Sequence, residues 1–141
     1  MRSIYIFLNY SKESIATFLS SNFESNYKKQ WLMNKENDPV LYIEIDYDRV
    51  LLNDLEINEI EELKTIFNDF SFQIITIDIS GRYHGEEELL RFLKTLFSRF
   101  EAFVMDDYSE HLWTSKEIFS GIKVNNHKFF DYDGWYAENK S

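Results

Sequence analysis

The chain predicts an α+β fold, a single-domain sandwich in which helices pack mainly on one face of a mixed or antiparallel sheet. Three observations carry this. Apolar residues recur with a period of two in some segments and near 3.6 in others, and the two kinds of segment alternate along the chain. One predicted strand, Leu41 to Asp48, has a polar face, so the sheet should be open to solvent on that side. The 141 residues are 44% hydrophobic and 18% aromatic, enough for a real core, so the high charge does not signal disorder. No repeat, linker or low-complexity tract divides the chain, and residues 1–141 read as one domain.

The elements follow in order. Ser3 to Leu8 is apolar on both faces, which suits a central, covered strand. Ser11 starts a helix to about Asn22, with Ile15, Phe18 and Leu19 on one side. Tyr27 to Asn34 is ambiguous, because Trp31, Leu32 and Met33 suit either a short strand or an apolar turn. Asn34 to Pro39 reads as a loop, polar and closed by the only proline. Leu41 to Asp48 alternates: Leu41, Ile43, Ile45 and Tyr47 face one side, and Tyr42, Glu44, Asp46 and Asp48 the other. Asn58 and Glu61 have capping-box spacing for a second helix, with Ile60, Leu63, Ile66, Phe67 and Phe70 as its buried stripe.

Phe72 to Ile79 is a strand with Ile75, Ile77 and Ile79 inward, broken by Ser80-Gly81. Glu86 to about Arg99 is the strongest helix. Three glutamates load its N-terminus, where the helix dipole favours them, and Leu89, Leu93, Leu96 and Phe100 form its apolar stripe with Leu90 and Phe97. Ala102 to Met105 is the last core strand. Thr114 and Glu117 box the start of a short helix that Gly121 ends. Ile122–Val124 and Lys128–Phe130 pair as a hairpin, and residues from Ala137 to Ser141 should fray.

Composition narrows the function. Asp and Glu total 25 against 15 Lys and Arg, a net charge of −10. Direct nucleic-acid binding and anionic membranes are disfavoured, since both need clustered cations. The absence of cysteine rules out thiolate chemistry and fits a reducing compartment. The short N-terminal apolar run does not make a signal peptide, and no stretch approaches the ~20 apolar residues of a spanning helix, so the chain is expected to be soluble and cytoplasmic. No phosphate-binding loop, dinucleotide fingerprint, nucleophile elbow or paired zinc motif occurs, and no cofactor is expected.

Four constellations stand out. Glu44, Asp46 and Asp48, about 7 Å apart along a strand face, make an acidic stripe for a Lys/Arg-rich partner or a plain solvated face. Asp106, Asp107, Tyr108, Glu110 and His111 offer oxygen and imidazole ligands for a metal or an acid/base set, or an interface loop in which Asp107 and Tyr108 are exposed. Arg82-Tyr83-His84-Gly85 meets a helix N-terminus, yet the glutamates that follow oppose an anion, so a turn with a packed tyrosine reads better. The tail from His127 to Tyr136, including Trp135, alternates aromatics with acids, as a sticky surface or as a clamp over the core.

Asp78-Ile79-Ser80-Gly81-Arg82, Gly85 with its amphipathic helix, the run from Asp106 to Thr114, and Glu117-Ile118 together resemble small bacterial proteins, some of which are immunity proteins for polymorphic or contact-dependent toxins. The resemblance covers about a third of the chain. It implies a cytoplasmic inhibitor, not an enzyme, that binds one cognate toxin. Many such toxins are basic nucleases, whose active site an acidic inhibitor covers. On that reading Glu44, Asp46, Asp48, Asp106, Asp107, Tyr108, Glu110 and Trp135 contact the partner. The alternatives are a carboxylate-based enzyme or metal-binding protein centred on Asp106, Asp107 and His111, and an acidic adaptor domain.

Overall fold

The computed structural model describes residues 2–26, 29–68, 71–107, 109 and 111–139, with the side chains of Trp135, Glu138 and Asn139 left aside. Strand β1 (Arg2–Leu8) lies inside a six-stranded sheet, as its two apolar faces predict. One face of β1 carries Ile4, Ile6 and Leu8, and the other carries Tyr5 and Phe7. The remaining strands are β2 (Glu24–Ser25), β3 (Trp31–Lys35), β4 (Asp38–Ile45), β5 (Gln73–Ile79) and β6 (Phe103–Asp106). Their order is β2-β3-β4-β5-β1-β6, and every pairing is antiparallel. Both edges are short. Beside β6, Trp113 forms an isolated bridge to Val104, with bonds of 2.9 and 2.7 Å, so the chain itself blunts that edge.

Helix α1 (Lys12–Asn22) starts where Ser11 Oγ accepts from the Ser14 N–H at 3.1 Å, and it buries Ile15, Phe18 and Leu19. Helix α3, counted after α2 (Ile57–Phe67), spans Glu86–Phe97 and buries Leu89, Phe92, Leu93 and Leu96 against the same sheet face. Each such side chain contributes about 2 kcal/mol by leaving water. Gly85 precedes α3 at φ 82°, and a Cβ there would meet Ile79 Cγ2 at 2.5 Å, so only glycine fits. The turn before it is held by Asp38, which receives the Tyr83 hydroxyl and the Arg82 guanidinium, both at 2.6 Å.

Helices α1 and α3 share one sheet face, but the opposite face is not open throughout. Helix α2 and the 3-10 turn Val50–Asp54 cover the end of it at β5, β1 and β6: Leu51, Leu63 and Phe67 pack on Phe7, Phe72, Ile74 and Met105. The box of α2 is Glu56 with Glu59, not Asn58 with Glu61, because the chain turns helical two residues earlier. Ile66 is exposed, and Phe70 lies outside the described residues.

Asn34 to Pro39 is not a loop. Strands β3 and β4 run through it, joined by the two-residue turn Glu36-Asn37, whose φ angles of 52° and 68° match the twist of an antiparallel pair. Pro39 is tolerated in the strand because the register shifts at Met33/Asn34. Of the ambiguous segment, Trp31 to Asn34 is strand, while Tyr27 and Lys28 lie outside the described residues.

Helix α4 (Ser115–Ser120) carries the predicted Thr114/Glu117 box and ends at Gly121, φ 73°. Strands β7 (Lys123–Val124) and β8 (His127–Lys128) form a hairpin around Asn125-Asn126 that is shorter than predicted, since His127 pairs with Val124 and leaves Ile122, Phe129 and Phe130 outside the strands. The chain beyond does not fray at Ala137: helix α5 spans Tyr132–Asn139, while Lys140 and Ser141 lie outside the described residues. Phe129, Phe130 and Tyr132 are buried, so this part of the tail clamps the core. Arg2 fastens it. Its guanidinium donates to the carbonyls of His84 (2.6 Å), Ser80 (3.4 Å) and Tyr83, and lies 5.6 Å from the ring centres of both Phe130 and Tyr132.

Candidate functional site: an acidic half of the sheet face

Register assembles the site. Residues opposite one another in an antiparallel pair share a face. Glu24 opposes Leu32, Leu32 opposes Tyr42, Tyr42 opposes Asp78, and Asp78 opposes Ser3. These five residues form one row across five strands. The neighbouring row is Glu44, Thr76, Tyr5 and Met105. Both lie on the face that α2 covers only farther along, and all but Met105 stay at least partly accessible.

Asp107, one residue past β6, extends the first row. Its Oδ2 accepts from the Ser3 N–H at 2.8 Å, and Ser3 Oγ donates to Asp78 Oδ1 at 2.6 Å. Burial of the Asp107 carboxyl raises its pKa above the usual carboxylate range. The Ser3 N–H opposes that rise, while the charges of Asp106 and Asp78 reinforce it. The Tyr5 hydroxyl beside it is also pushed up, by burial and then by Asp107. Gln30 Nε2 lies 3.4 Å from Glu44 Oε2, and Asn34 Nδ2 donates to Glu24 at 2.9 Å. Neither row contains a Lys or Arg.

A cleft of about 270 Å³ opens where this face meets α2. Tyr5, Asp54, Glu56, Glu59, Asp106 and Asp107 line it with Leu51, Leu55 and Met105, again with no cation. Glu56 and Glu59 serve the capping box of α2, the Glu56 N–H donating to Glu59 Oε1 at 2.8 Å.

The other sequence-predicted residues divide. Glu44 is on the face. Asp46 and Asp48 are not on a strand, since β4 ends at Ile45 and the chain turns. Asp46 binds the start of the 3-10 turn: Oδ1 accepts from the Val50 N–H and Oδ2 from the Leu51 N–H, both at 3.0 Å. The three-residue stripe is therefore broken. Asp48 is exposed in the turn. Asp106 is buried and accepts at Oδ1 from the Ser109 N–H and hydroxyl, both at 2.8 Å, which orders the turn after β6. Tyr108 and Glu110 lie outside the described residues, as does the side chain of Trp135.

His111 does not join Asp106 and Asp107. Its Nε2 lies 3.1 Å from Glu117 Oε1, and its ring stands edge-on to Trp113 at 4.8 Å. Asp106 turns to Ser109 and Asp107 to Ser3, so the three groups have separate partners. Among the described residues no group of three His, Cys, Asp or Glu is placed to hold a metal ion, and no helix is long and apolar enough to cross a membrane.

The sequence reading missed Asp78, Tyr42 and Tyr5 as site residues. A signal for Asp78 was present: with Ile75, Ile77 and Ile79 inward, Thr76 and Asp78 must face outward. No family model, curated protein or solved structure matches the chain.

Proposed function

We propose that this chain is a cytoplasmic immunity protein that neutralises a basic bacterial toxin by covering its active site or substrate surface. It does no chemistry. One observation supports the reading above others: two adjacent rows of an accessible sheet face carry Glu24, Glu44, Asp78 and Asp107 around Leu32, Tyr42 and Tyr5, with no cation among them. Such a face steers a basic partner by long-range attraction. The tyrosines supply rigid, amphipathic contact area of the kind that dominates binding energy. Glu44 and Asp78 stand on strands fixed by the core, and Asp107 and Glu24 are held by the Ser3 N–H and the Asn34 amide, so little ordering cost falls on binding. A nuclease, whose own site is built for phosphates, fits this surface by charge.

The carboxylate-chemistry reading centred on Asp106, Asp107 and His111 has less support, because those groups are hydrogen-bonded to three different partners.

The test is co-expression with the product of the adjacent upstream gene, scored by growth and by recovery of a stoichiometric complex. The wild type should rescue growth. The triple variant Glu44→Gln, Asp78→Asn, Asp107→Asn should associate about tenfold more slowly at low salt and lose most of its salt dependence. Absence of any complex or rescue would remove the immunity reading. Rescue and association rate unchanged in the triple variant would move the interface off this face.

A further inference from the structure

We propose that a groove between the C-terminal end of α3 and helix α4 is a docking site for a segment of a partner protein that carries an aromatic or large aliphatic side chain beside carboxylates. This proposal is independent of the acidic sheet face.

The groove comes from two phenylalanines. The Thr114 box sets where α4 starts and sends Ile118 into the core. Phe119, one position on, points out and is 49% exposed. It meets Phe97, the last residue of α3, edge to face, with ring centres 6.2 Å apart and planes at 88°. Around them Lys94, Ser98, Ser115 and Lys116 enclose an open groove of about 570 Å³ whose walls are chiefly apolar. It runs into a second depression of about 440 Å³ that shares Phe97, Ser98 and Ser115 and adds Arg99 and Glu101.

Charge identifies the occupant. On a chain of net charge −10, the first depression is lined by two lysines and no carboxylate. Among the described residues Lys94, Lys116 and Arg99 enter no ion pair, as is true of most of the chain's cations, so what marks the groove is that its charged lining is positive on an acidic chain. The acid nearest in sequence to Lys116, Glu117, is turned to His111 and to Thr114. Two ammonium groups on the rim of an apolar groove make a local positive potential that a carboxylate on the occupant complements. An apolar side chain in the groove with an acid on either side meets both demands. The groove is shallow and open along its length, which suits an extended segment better than an enclosed small molecule.

A displayed library of random dodecapeptides, selected on the full-length protein, tests this. Enriched peptides should pair an aromatic or large aliphatic residue with Asp or Glu. Their Kd, measured by fluorescence anisotropy, should rise about tenfold or more in Phe119→Ser and in the double variant Lys94→Glu, Lys116→Glu. It should also rise with salt, and stay unchanged in Glu44→Gln, which separates this site from the sheet face. Both lysines are exposed, so the charge variant retains the fold even where the Phe119 variant does not. Three outcomes would overturn the proposal: no enriched peptide sensitive to either variant, groove-sensitive peptides that are basic rather than acidic, or dimerisation of the wild type that Phe119→Ser abolishes, which would assign the groove to a second copy.

Discussion

Asp107 reaches back across the whole chain to Ser3: its Oδ2 takes the Ser3 N–H at 2.8 Å, while its neighbour Asp106 is buried and turned to Ser109. Two adjacent aspartates thus do different work. Asp106 shapes the turn, and Asp107 extends a row of carboxylates on the sheet face.

This arrangement has a pH consequence. Asp107 has a raised pKa in the folded chain, so the folded state holds the proton to higher pH than the unfolded state does. The cost is absent below the ordinary carboxylate value of about 3.9, grows as pH rises through the folded value, and is full at neutral pH. Asp107→Asn keeps an acceptor for Ser3 and removes the charge. Its melting temperature at pH 7 should exceed wild type by about 1–2 °C, small because the carboxyl is only partly withdrawn from solvent and is screened, and the two should coincide near pH 3. A gain that persists at low pH would sink this account.

Asp46 and its sequence neighbours should behave oppositely. Asp46→Ala removes an acceptor from two N–H groups and should cost about 1–2 kcal/mol in urea denaturation. Glu44→Ala and Asp48→Ala, both exposed, should stay within about 0.5 kcal/mol. Equal effects at all three would show that Asp46 does not cap the 3-10 turn.

Arg2 should be among the most sensitive charged positions for stability. Arg2→Ala loses bonds to three carbonyls and two ring contacts, and should cost about 2–3 kcal/mol. Lysine cannot reproduce the planar fork, so Arg2→Lys should recover less than half. Chemical denaturation midpoints for the two variants decide it.

Glu117 couples the α4 box to acid stability. Burial of its carboxyl works to raise the pKa, but the Thr114 N–H and the His111 ring outweigh it and the net shift is downward. Its contribution is present above the unfolded value of about 4.3 and is lost as pH falls through the depressed folded value. Glu117→Gln preserves the box geometry and should melt about 2 °C lower at pH 7, converging on wild type near pH 3. Thr114→Ala should cost about 1 kcal/mol at either pH.

Much of this architecture was legible in the residues. The two-sided apolarity of Ser3 to Leu8 placed it as an inner strand, and Ser11, Thr114 and Gly121 marked helix ends through local hydrogen bonding and backbone geometry. The apolar stripe of α3 announced its buried side. These signals are local: a cap involves groups three residues apart, and an apolar stripe reports burial whatever covers it.

Other features depend on partners distant in sequence. Alternation put Asp78 and Glu44 outward on their strands, but a period of two gives faces and not neighbours. Only the order β4-β5-β1 placed Tyr42, Asp78 and Ser3 side by side, with Asp107 beyond them. Asp46 continued the alternating pattern in sequence, yet the chain turned at Ile45 and two backbone N–H groups claimed its carboxylate. The sequence by itself determined the buried faces of most elements and the ends of α1 and α4, because those depend on hydrophobic periodicity and short-range hydrogen bonds. Which carboxylates gather on one surface was decided by strand pairing, because contacts between residues far apart in the chain set that order.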